Sequence, residues 1–255
     1  MSTVSTLGIE ARRCVDEMRS YAIDFAASAA NDAFMVMGLL LGIVANIHDS
    51  PRVHSIILGL VIWRITAASI TSMALLLQDE LQLGTFEQLL MSRVSVTRVL
   101  LGRLLVNVVM ETLLFYAVAL SVVPLLGGDL LAALITPREL FLILLASVGF
   151  IGLGLLFCGL TLRFKRASAI ARLATNLVLF FSGMLFPLSV LGTTADALGG
   201  ALPFSWLMKT VASPFPAWQP LGLLLLTSVV WLLIGATAYR SQMKRVRKGG
   251  GTAHF

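Results

Sequence analysis

The chain has 255 residues, is 58% hydrophobic and only 13% charged, and carries a formal net charge of +6 with a mean hydropathy of +0.92. Soluble domains hold about 25% charged residues, so the composition excludes a soluble enzyme, and it excludes intrinsic disorder, whose signature is low hydrophobicity. The length suits one all-α membrane domain of about six spans with no second folded domain, and two cysteines, Cys14 and Cys158, make no disulfide framework.

In chain order, Met1 to Thr6 has no basic segment followed by an apolar one, so no cleaved signal peptide is expected. Residues 1–24 read as a cytoplasmic amphipathic segment. Val15, Met18, Ala22 and Phe25 fall at i, i+3, i+7 and i+10, while Arg12, Arg13, Asp16, Glu17 and Arg19 mark other faces. Such a helix suits the inner membrane surface; a plain extension of the first span is the alternative.

A helix rises about 1.5 Å per residue and the hydrocarbon layer is about 30 Å thick, so spans need roughly 20 apolar residues. Six such runs occur between residues 25 and 239: Phe25 to Ile47, Ser55 to Leu77, Leu104 to Leu126, Leu140 to Leu162, Ile170 to Leu191, and Leu221 to Tyr239. Asn31 and Asp32 interrupt the first, and the sixth follows Pro220. Residues 240–255 form a basic tail.

Positive charge orients these spans. With the N-terminus inside, only Arg52, Arg138 and Lys209 fall on outer connections and Arg64 within a span; the other Lys and Arg residues lie on the inner side. Cytoplasmic loops collect these residues, which predicts a multi-pass protein of the cytoplasmic membrane with both termini inside. The last outer connection, 192–219, is long and holds Pro203, Phe204, Trp206, Pro214, Phe215, Pro216 and Trp218. That composition predicts short helices lying at, or dipping into, the outer interface before the sixth span; an aromatic-anchored surface loop fits it equally.

Arg64 in the second span and Glu111 in the third are deep charges, each needing a partner or a wet cavity. Arg103, Asn107 and Glu111 are spaced by four and make one polar stripe. Arg64 and Glu111 read either as a structural pair or as residues lining a translocation path. Gly38 and Gly42 form a G-x-x-x-G in the first span, suited to a close helix contact between copies or within the chain. Gly149, Gly152 and Gly154 lie mid-span, where they allow close packing. In the fifth span Asn176, Gly183 and Pro187 interrupt the apolar run, as a kink or a gate along the path.

Catalytic chemistry is missing from this pattern. No Gly-Lys dipeptide occurs, so no P-loop is present, and His48, His54 and His254 have no zinc-binding spacing. The expectation is a chain with no catalytic residues, no metal site and no cofactor of its own.

The inner connection 78–103 is the informative one. Thr85 followed by Gln88 has capping-box spacing and predicts a short helix starting at Thr85. Phe86, Leu89 and Leu90 share an apolar face, and Glu87 suits the first turn. A capped amphipathic helix between two spans, followed by Arg93, Arg98 and Arg103, suggests docking onto another protein; resting on lipid is the alternative.

Here the chain resembles the permeases of type-2 ATP-binding-cassette exporters. Glu80, Gly84-Thr85, Glu87, Leu89-Leu90 and Ser92-Arg93-Val94-Ser95 match the family's loop, Arg93 standing where the family usually has Pro. The amphipathic N-terminal helix, six spans and long outer segment with Leu202-Pro203 and Trp206 are also similar. The resemblance implies that Gly84, Thr85, Phe86, Glu87, Leu89 and Leu90 form a coupling helix on which a separate nucleotide-binding subunit docks, with ATP and Mg on that subunit. It further implies a dimer of permeases and outward movement of an amphipathic or lipid-like substrate such as a drug, antibiotic, peptide or glycolipid. A secondary transporter driven by an ion gradient usually shows internal repeats, and none is evident here. A non-transport membrane assembly protein is the other alternative.

Overall fold

A computed structural model describes residues 50–91, 96–122, 137–164, 168–181, 192–213 and 218–248, with scattered helical positions from Gly8 to Gly38. The described residues are helical, without strands. In chain order the helices are α1 (Ser50–Gln82), α2 (Thr85–Met91), α3 (Val96–Val122), α4 (Pro137–Phe164), α5 (Ser168–Phe181), α6 (Thr193–Gly200), α7 (Pro203–Ala212) and α8 (Trp218–Lys248). Three stretches, Leu58–Gln82 of α1, Phe141–Phe164 of α4 and Trp218–Lys248 of α8, are long and apolar enough to cross a membrane. Helix α3, 27 residues long, overlaps the expected third span over residues 104–122. Helix α5 covers the first half of the expected fifth span; Gly183 and Pro187 lie outside the described residues, as does Gly42.

Two helices run past the expected span ends at their C-terminal sides. Helix α1 continues from Leu77 to Gln82, and α8 continues from Tyr239 to Lys248, so the first nine residues of the basic tail are helix. The reason is packing: Leu77, Tyr239 and Met243 are buried in one cluster, and the intervening Arg, Gln and Lys residues are good helix formers. At its other end α8 starts at Trp218, which places Pro220 in the first turn, where the amide it lacks would have no helical partner anyway.

Helix α4 lies between α1 and α8 and packs extensively on both. Lipid tails are as apolar as leucine, so membrane helices gain by close packing rather than by the hydrophobic effect, and small residues permit that approach. On α4, a Cβ at Gly152 would stand 2.5 Å from the Trp231 carbonyl and the Leu232 nitrogen, and one at Gly149 would stand 2.9 Å from the Ser228 Cα. One at Gly235 of α8 would overlap the Gly152 carbonyl. Gly154 faces the other way, 2.6 Å from the Ser69 carbonyl of α1 by the same measure. The mid-span glycines therefore serve close helix packing, as their positions suggested.

These contacts also set direction. Gly149 meets Ser228 and, ten residues later, Gly159 meets Tyr239, so α4 and α8 run parallel. The starts of α1, α4 and α8 contribute Leu58, Leu142 and Leu224 to one core cluster, and their far portions contribute Leu77, Leu162 and Met243 to a second. All three helices thus point the same way, and α2 seats Phe86 in the second cluster.

The opposite end carries α6 and α7, so the described part of the connection expected at 192–219 consists of short helices. Pro203 opens α7, as its fixed φ favours, and Phe204 and Leu207 are buried in the first cluster against α1 and α4. The Trp206 indole donates to the Gly200 carbonyl at 2.6 Å and that of Trp231 to the Ala201 carbonyl at 2.7 Å. Arg138, at the start of α4, donates to the carbonyls of Thr210 and Ser213 at 2.9 Å each, satisfying the C-terminal end of α7 with the charge its dipole favours.

The seam between α4 and α8 has a direct test. Gly152→Val should lower thermal stability in detergent by at least about 2 kcal/mol, because the added atoms meet backbone that cannot yield. Gly222→Ala, where an added Cβ meets nothing within 4 Å, should stay within about 0.5 kcal/mol of wild type. Equal melting of both variants would mean that the seam is not tight.

Candidate coupling site

The connection from α1 to α2 is a two-residue corner. Leu83 still donates to the Asp79 carbonyl at 2.9 Å, and Gly84 then reverses the chain with φ +71°, a left-handed conformation that side chains resist and that commonly ends helices. Helix α2 begins at Thr85, as the sequence predicts, with Glu87 in its first turn. The Thr85 hydroxyl donates back to the Glu80 carboxylate, with the Glu80 main-chain carbonyl at 3.4 Å.

The Glu80 carboxylate has a second partner. Its other oxygen accepts a hydrogen bond from the Arg103 guanidinium, and both side chains are 13% exposed. One carboxylate therefore ties together the end of α1, the start of α2 and the first part of α3. Both bonds are charge-assisted, the stronger class of protein hydrogen bond. Arg103 was grouped by its spacing with Asn107 and Glu111; the structure pairs it with Glu80 of α1. The side chains of Asn107 and Glu111 lie outside the described residues, so the Arg64–Glu111 alternatives of the sequence stand where they were. Arg64 itself is half-buried on α1.

The apolar face of α2 points inward. Phe86 is 1% exposed, within a cluster that includes Met73, Leu77, Val96, Leu100 and Leu104, and Leu90 is half-buried against the same cluster. These two residues hold α2 to its own chain; the side chain of Leu89 lies outside the described residues. What the site leaves exposed is Leu83 at 76%, Gly84, Gln88 and Met91 at 86%. Glu87 and Met91, four apart, share the side of α2 away from Phe86. Two large apolar side chains, Leu83 just before α2 and Met91 at its end, are thus exposed. Neither was singled out from the sequence. The signal was available, because Met91 falls off the Phe86 and Leu90 face by helical spacing.

The geometry describes a short helix anchored by its apolar face in the membrane domain, latched by Glu80, with its other face outward. Residues 25–215 match the family model described as ABC-2 type transporter. The chain belongs to the ABC-2 type transporter family. No curated protein and no solved structure matches it. The protein is accordingly a multi-pass membrane permease, a transport component rather than a catalyst itself, and the family implies partnership with an ATP-binding-cassette subunit.

Elsewhere the permease distributes the remaining candidates as follows. Gly38 is exposed, and a Cβ there would meet nothing within 4 Å among the described residues. Asn176 is exposed on α5 beside the exposed Leu173, Leu177 and Phe180. Helix α5 is held to α1 by the Trp63 indole, which donates to the Thr175 carbonyl at 3.4 Å.

The latch generates a sharp expectation. Glu80→Ala removes the carboxylate shared by Arg103 and Thr85, which should cost on the order of 2–3 kcal/mol and raise hydrogen exchange across Gly84–Met91. Glu80→Ala combined with Arg103→Ala should recover part of that loss in thermal stability. Additive losses in the double variant would contradict a direct pair.

Proposed function

We propose that this chain is the six-span permease subunit of an ATP-driven exporter and that α2 is its coupling helix. A nucleotide-binding subunit docks on the outward side of α2, at Leu83, Gly84, Glu87, Gln88 and Met91. ATP and Mg are held by that subunit. The observation that carries this proposal is the two-sidedness of α2. Phe86 and Leu90 are seated in the core shared by α1, α3, α4 and α8, while Leu83 and Met91 are left exposed. Movement imposed on the outward side has a packed route to the inner ends of three membrane helices, and closure of the partners on ATP would shift the population between inward- and outward-facing states.

Both termini are cytoplasmic in this proposal, because the end of the bundle that carries α2 also carries Arg98, Arg103, Arg163 and the cations from Arg240 to Lys248, and the positive side of membrane proteins is the cytoplasmic one. Two permeases form the working unit, with Gly38 and Gly42 at a contact between copies and Asn176, Gly183 and Pro187 beside the path. The cargo is an amphipathic or lipid-like compound moved outward. The support is the apolar character of α5, where Phe180 and Phe181 meet edge to face at 5.8 Å, beside a single exposed amide.

Capture of the nucleotide-binding subunit tests this proposal. Charges in an apolar docking contact are costly to desolvate, so Leu83→Asp with Met91→Asp should weaken capture at least about tenfold, a change of about 1.4 kcal/mol. Transport should fall with it, while membrane insertion and yield remain. Wild-type capture and transport in the double variant would refute the docking role.

A further inference from the structure

Helix α8 is too long for the membrane alone. Its 31 residues extend about 46 Å at 1.5 Å each, and a hydrocarbon layer of about 30 Å leaves several turns outside. Between Trp218 and Lys248 there is no Asp or Glu, and Arg240, Lys244, Arg245, Arg247 and Lys248 are all exposed. Arg240, Lys244, Arg247 and Lys248 follow an i, i+4, i+7, i+8 spacing, which places them in one stripe. Packing fixes the direction of that stripe, because Tyr239 and Met243 are buried, and Val246 half-buried, against the cluster that holds Phe86.

Other helices add cations at the same depth. Gly159 of α4 abuts Tyr239 and Leu162 shares a cluster with Met243, which sets the exposed Arg163 level with the stripe. On α3, Val96 and Leu100 belong to the same cluster and flank the exposed Arg98. The charges thus sit at one level on three helices, beginning where the apolar run of α8 ends.

We propose that this belt, with the helical extension of α8 at its centre, binds the anionic headgroups of the surrounding leaflet, and that the bound lipid steadies α2 through the shared cluster. A headgroup layer is planar and meets cations on three helices together. It lies within the distance over which surface charge acts before salt screens it. The stripe on α8, free of acidic residues from Trp218 to Lys248, suits such a layer, whereas the acidic Asp79, Glu80 and Glu87 lie on α1 and α2. A folded acidic partner would engage one side of the bundle. The proposal requires α8 to cross a bilayer and is independent of the exporter reading.

The test uses the purified permease alone in nanodiscs, without ATP, cargo or partner, so its result does not depend on transport. Hydrogen exchange is followed at Thr85–Met91 and Tyr239–Lys248, in phosphatidylcholine and in phosphatidylcholine mixed with phosphatidylglycerol. The anionic lipid should increase protection of both segments at least about fivefold. High salt should remove the gain, as should Arg240→Gln, Lys244→Gln, Arg247→Gln and Lys248→Gln together. Equal protection in the two lipids would overturn the proposal, and so would a gain that persists in high salt or in a folded quadruple variant. If the quadruple variant does not fold, the salt titration of wild type decides alone. Protection that appears only when a nucleotide-binding subunit is added would assign the belt to that protein and overturn the lipid assignment.

Discussion

The close approach of α4 to its two neighbours is the constraint from which the rest follows. Between lipid-bathed helices no water is released by apolar contact, so a stable bundle needs backbones near enough for dense packing. Gly152 and Gly235 supply that approach towards α8 and Gly154 towards α1. Because the three helices run parallel, the same contacts bring Leu77, Leu162 and Met243 into one cluster at one end of the bundle. The short helix α2 has a seat only because these ends are gathered.

Helix α2 has seven residues and is far too short to be stable in isolation. Two physically different attachments hold it. Burial of Phe86 fixes one face without specifying rotation tightly, since apolar packing is not directional. The Glu80 carboxylate, shared between Thr85 and Arg103, adds direction at the N-terminal end. The opposite end of the bundle is tied with equal economy, by Arg138 across the end of α7 and by two tryptophan indoles on the turn between α6 and α7.

Much of this was legible in the residues. The apolar runs locate α1, α3, α4 and α8, the start of α2 falls at Thr85, and mid-span glycines are assigned to packing, because each of these rests on local spacing. The rest depends on tertiary contacts that spacing does not carry. The inward turn of Phe86 and Leu90 follows from where α1, α4 and α8 end and α3 begins, so an apolar face suited to a partner was equally suited to the chain's own core. Arg103 pairs with Glu80, 23 residues earlier, and only the corner at Gly84 brings the two together. The helical course of α8 beyond Tyr239 comes from burial of Met243, a contact between helices distant in sequence.

On the proposed mechanism α2 moves as one piece with the ends of α1, α4 and α8 that gather around Phe86. Spin labels at Gln88 on α2 and Lys244 on α8, both exposed, measure this in the permease reconstituted with its nucleotide-binding subunit. The interlabel distance should stay unchanged between the nucleotide-free and ATP-trapped states, while the distance between equivalent Gln88 labels on two permease copies changes. A shift in the Gln88–Lys244 distance, with the inner helix ends left in place, would show α2 swinging free of the bundle and contradict the account.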